Sequence, residues 1–130
     1  MVERAGDGAL VVFGFGGPGG AREALDFARD VIRGVSDGAK MRVSLQYGPV
    51  ALADLGGGAW GHVALAGDTV NVAARLQDAA KRAGNSIVVG RAVLDAAGVD
   101  LASAPSDLLA LPAEVVRGRR EPVEVWAVVV

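Results

Sequence analysis

Short apolar runs, each closed by glycine or proline, limit this chain to a sheet with helices laid upon it. "ALVVF" (9–13) follows the turn signal "GDG" and predicts a buried strand, and "VERA" (2–5) reads as the end of a strand entering that turn. "MRVSLQY" (41–47) alternates, with Met41, Val43, Leu45 and Tyr47 on one face, and predicts another strand. "GP" turns the chain into "VALADL" (50–55), and "GGG" leads into "GHVALA" (61–66). "GNSIVVG" (84–90) is a turn and a strand; "LPAEVVRGRREPVEVWAVVV" (111–130) is a terminal hairpin bent at Gly118, with Pro122 as punctuation.

Helical spacing fills the intervals. In "AREALDFARDVIRGV" (21–35), Leu25, Ala28, Val31 and Ile32 share a face and Gly34 closes the helix. A second helix is predicted over 69–82, with Asp68 as its N-cap, and a short third over 91–98. The order β α β β α β α β β predicts one domain spanning 1–130, an α+β or α/β sandwich with a mixed sheet. The loop "GFGGPGG" (14–20) is not a P-loop, because no Gly-Lys-Ser/Thr follows it.

Composition narrows the chemistry. Gly makes up 19 of 130 residues, which predicts many tight turns, and 52% hydrophobic with 5% aromatic residues means a core of Val, Leu and Ala. The absence of Cys removes disulfides and thiolate metal sites and fits a cytoplasmic setting. A net charge of −2 argues against whole-surface nucleic-acid binding, and no apolar run approaches a membrane span. The single His62 is read as a strand residue without a catalytic role, and Trp60 and Trp126 as packing residues.

"GDTVNVAARLQDAAKR" (67–82) carries the chemistry. Asn71, Arg75, Asp78 and Arg82 share one helix face, and Val72, Leu76, Ala79, Ala80 and Ala83 take the other. The plain reading is an amphipathic helix with an Arg75–Asp78 surface pair of little energetic worth. The sharper reading notes that a helix N-terminus attracts phosphate, and that an amide and a guanidinium one turn apart can hold a ribose and a phosphoryl group together.

"AGDTVNVAARL" resembles the signature of the class III nucleotidyl cyclases, the adenylate and guanylate cyclase family. "GDGALVVFG" is similar to that family's Gly-Asp hairpin, "RVSLQYGPVALADLG" to its strand-Gly-Pro-Val-strand segment, and "VVRGRREPVEVW" to its closing hairpin. Four blocks in order cover nearly the whole chain. The resemblance implies a ferredoxin-like fold with a mainly antiparallel sheet. It also implies conversion of a nucleoside triphosphate, ATP ahead of GTP, to a 3′,5′-cyclic nucleotide and pyrophosphate in signal transduction.

Carried over by position, Asn71 matches the residue that orients the ribose, and Arg75 the one that stabilises charge on the transferring phosphoryl group. Asp7 matches one of two Asp residues that hold two Mg²⁺ or Mn²⁺ ions, although Asp-Gly is also a common hairpin turn. The triphosphate-binding Lys of the closing hairpin is replaced by "RGRR", with Arg119 the first candidate and Arg117 the next; a solvated basic turn is the equal alternative. Glu3 and Ala64 occupy the base-selecting positions and fit neither the adenine nor the guanine pattern, since Ala cannot read a base edge.

The family's first strand, first helices and first metal Asp have no counterpart here, so the chain is expected to be an N-terminally truncated domain or a mis-started frame, inactive alone. The family's site forms between two subunits, which implies a homodimer or a heterodimer with a complete cyclase domain. Two other readings stand beside this one: a catalytically inactive cyclase-like dimerisation or regulatory module, and a generic ferredoxin-like binding domain.

Overall fold

A computed structural model describes residues 2–5, 8–14, 19–35, 40–54 and 63–130, with backbone alone at 2–5, 53–54 and 63–64. Asp7, Trp60 and His62 lie outside the described residues. The elements in chain order are β1 (Val2–Ala5), β2 (Gly8–Val11), α1 (Gly20–Gly34), β3 (Val43–Leu45), β4 (Ala51–Asp54), β5 (Val63–Ala66), α2 (Asp68–Ala83), β6 (Ile87–Gly90), α3 (Arg91–Ala96), a 3₁₀ turn at Leu101–Ser103, β7 (Leu108–Glu114) and β8 (Val123–Val128).

The central sheet runs β3-β6-β8-β7, with β3 and β6 parallel and the other neighbours antiparallel. β1–β2 and β4–β5 form separate antiparallel pairs. This is an α+β fold with a mixed, mostly antiparallel sheet and helices packed on it.

Strand alternation divides the core into two layers. Ile87, Val89 and Val128 face one side, where Leu25 and Ala28 of α1 and Val93 and Leu94 of α3 cover them. Val88, Val123 and Val125 face the other, against Val72, Leu76 and Ala80 of α2. β6 is buried at every position, as a central strand covered on both faces must be. Trp126 is partly buried against the α1–α3 side, in keeping with its reading as a packing residue.

Three local expectations are corrected. Gly67, at φ 125, is the N-cap of α2 and offers no side-chain cap, and Asp68 is already the first helical residue. Glycine takes this positive φ without strain, and the Asp68 carboxylate is left for another partner. β3 is shorter than 41–47, since its partner β6 turns into α3 after Gly90, and Met41 and Tyr47 are exposed. β7 begins at Leu108 rather than 111, because β8 runs to Val128 and pairs with it there. The β7–β8 register shifts between Leu111 and Glu114, around Pro112, which has no N–H to give the ladder. No helix among the described residues is long and apolar enough to cross a membrane.

Candidate functional site

α2 presents the polar face that its spacing predicts. Asp68, Asn71, Arg75, Asp78 and Arg82 recur at three- and four-residue intervals and are all exposed, while Val72, Leu76, Ala79 and Ala80 are buried. The predicted Arg75–Asp78 pair does not form. Among the described residues, neither Arg75 nor the Asn71 side chain makes a hydrogen bond or ion pair. An amide and a guanidinium stand one turn apart with their donors uncommitted.

The closing hairpin packs along this flank. Val116, two residues beyond β7, is buried with Val72 and Leu76 of α2. The chain then reverses through Gly118 at φ 89, a conformation that favours glycine, and the Arg119 backbone N–H donates to the Val116 carbonyl at 3.0 Å. Arg119 Nη1 donates to Asp68 Oδ2 at 2.7 Å, which fixes its guanidinium against the first turn of α2. At the other end of the helix, Arg82 Nη2 donates to Glu114 Oε1 at 2.7 Å. Asn71 and Arg75 lie on the flank between these two attachments.

Thus Asn71, Arg75 and Arg119 come to one side of the molecule. Arg117 and Arg120 share the hairpin turn, are exposed, and make no ion pair among the described residues. Glu3 sits in β1 opposite Leu10, and Ala64 in β5 opposite Ala53.

Two cavities flank the central elements. The larger, about 560 Å³, is mostly apolar and meets α2 at Thr69, Val70 and Ala73, on the side away from Asn71 and Arg75. A smaller cleft of about 490 Å³ is charged, and Arg119 lines it with Arg91, Glu121 and Glu124. Its share in Arg119 ties it to the candidate site. In it, Arg91 Nη1 donates to Glu124 Oε2 at 2.8 Å, and that hydrogen bond and charge, with Asp95 behind them, push the guanidinium pKa above its usual value.

Gln46 reaches both cavities, and its Oε1 is buried without a hydrogen-bond partner, against Gly90. Sequence pattern gave no signal for this contact. Asp68 was also misassigned: a cap was its natural reading, and nothing local shows that a hairpin fifty residues on will dock beside it.

Among the described residues no group of three or more His, Asp or Glu side chains comes together to hold a metal ion. Asp7, the residue that the cyclase resemblance assigns to the metal, lies outside the described residues.

The architecture defines an α+β domain with a basic hairpin seated on the polar flank of a helix. No protein-family model and no curated protein matches the chain. Among solved structures, a bacterial light-regulated adenylyl cyclase is similar to it, with a TM-score of 0.49 and 23% sequence identity. The similarity covers 84% of this chain and 32% of that one, so the chain spans about a third of its neighbour's length.

Proposed function

We propose that this chain supplies the substrate-charge half of a nucleotidyl cyclase site, with a second catalytic domain, a further copy or another chain, providing the remainder. The observation that carries the reading is the Asp68–Arg119 attachment, which puts the basic turn on the same flank of α2 as Asn71 and Arg75. Three cationic or amide donors then address one anionic, ribose-bearing substrate. A nucleoside triphosphate fits this donor set, and ATP is the first to try.

In this reading the ribose 3′-oxygen forms a bond to the α-phosphorus, the bond from that phosphorus to the bridging oxygen breaks, and pyrophosphate leaves. The 3′-hydroxyl proton passes to solvent. The Asn71 amide orients the ribose. The Arg75 guanidinium, without a partner among the described residues, stabilises the charge that grows on the transferring group. Arg119 holds the terminal phosphates.

The test is titration of the 130-residue chain with a non-hydrolysable ATP analogue in Mn²⁺, and assay of cyclic nucleotide from ATP or GTP with and without an intact cyclase domain. Saturable binding that Arg75→Ala and Arg119→Ala each weaken, with product in the mixed assay, supports the site. Binding that ignores both substitutions, or none at millimolar ligand, sinks it.

A further inference from the structure

We propose that Asp68 is a positioning residue whose carboxylate sets the guanidinium of Arg119 for the triphosphate. The inference rests on the site proposed above and adds a residue to it. Among the described residues the Asp68 carboxylate accepts its side-chain hydrogen bond from Arg119, at 2.7 Å. Of the exposed arginines in the hairpin turn, Arg117 and Arg120 have no side-chain partner among the described residues, while Arg119 is held at both backbone and side chain. Unheld guanidinium side chains carry large rotamer entropy, which a ligand must remove on binding. Arg119 has already lost much of it. Asp68 uses one part of the fork, and the remaining N–H donors stay available to an anion beside the first turn of α2.

Electrostatics alone predicts the opposite sign. A carboxylate next to an anion site repels the anion, so deleting it should tighten binding if Asp68 does nothing but carry charge. Positioning predicts that deleting it weakens binding. The sign of one substitution therefore separates the two.

The experiment measures affinity of the whole chain for the non-hydrolysable ATP analogue in Mn²⁺ by calorimetry, in Asp68→Ala, Asp68→Asn, Arg119→Ala and the Asp68→Ala/Arg119→Ala double variant. Circular dichroism checks that each remains folded. Expected are a loss of about tenfold in Asp68→Ala, recovery to within about threefold in Asp68→Asn, which keeps the acceptor oxygen, and no further loss from Asp68→Ala once Arg119 is gone. Unchanged or tighter binding in Asp68→Ala, with Arg119→Ala still weakening it, overturns the positioning role and leaves the site standing. An Arg119→Ala variant that binds like the parent overturns both.

Discussion

Arg82 donates a 2.7 Å hydrogen bond to Glu114, which joins the last turn of α2 to the kinked end of β7. The Glu114 side chain is only 14% exposed, whereas Arg82 is 63% exposed. The buried stripe of Val72, Leu76 and Ala80 sets the rotation of α2 about its axis, and this contact and Asp68–Arg119 tie its two ends to the hairpin on the flank that carries Asn71 and Arg75. Arg82→Ala strands a mostly buried carboxylate and should cost about 1 kcal/mol, after allowance for the exposed partner. Arg119→Ala breaks a pair exposed on both sides and should cost less, within about 0.5 kcal/mol. Urea unfolding of the two variants checks the order, and equal losses would remove Glu114's burial as the cause.

Arg75→Ala removes a side chain that contacts no charged partner among the described residues. Stability should change by less than about 0.5 kcal/mol, as for other surface substitutions away from special features. Turnover in a mixed assay with a complete cyclase domain should fall much more than substrate affinity, since the guanidinium acts on charge that develops in the transition state. A matching fall in affinity alone would make Arg75 a binding residue.

Gly90→Ala tests the contact that sequence pattern did not show. A Cβ at Gly90 would overlap the amide of Gln46, whose oxygen is already buried and unpartnered. The amide is the far end of a flexible side chain that borders both cavities and holds no hydrogen bond through its oxygen, so it can swing aside and the substitution should cost no more than about 1 kcal/mol, at the low end for an overpacked site. Gln46→Ala in the Gly90→Ala background should recover part of the loss. Denaturant midpoints of the single and double variants measure both.

What sequence carried and what it did not follow a physical line. The period-3.6 pattern located α1 and α2 because burial on a fixed face writes that period into the chain, and an apolar run bounded by glycines located β6, which is buried on both faces. The polar face with Asn71 and Arg75 was legible for the same reason. Strand ends were not: β3 stops where β6 turns away into α3, and β7 starts where β8 still offers a partner, both decided by another segment. Asp68 failed similarly. A polar residue before a helix looks like a cap, and the choice of Arg119 instead depends on a docking contact with no local trace.

Leu76→Ala and Leu25→Ala form a matched pair for the last prediction. Both side chains are buried, at 0% and 4% exposure, Leu76 between α2 and the sheet and Leu25 between α1 and the sheet. Each should lose about 2–5 kcal/mol, from lost transfer energy plus the cavity left behind. Their effects on triphosphate affinity should differ. Leu76 shares its cluster with Val116, whose carbonyl anchors the backbone of Arg119, so a cavity there lets the hairpin shift against α2. Leu25 lies across the sheet from that hairpin and should leave affinity unchanged in conditions where the variant is fully folded. Calorimetric titration at low temperature, with folding verified by near-UV circular dichroism, separates the two. Equal losses of affinity would mean that binding follows global stability rather than the seating of the hairpin on α2.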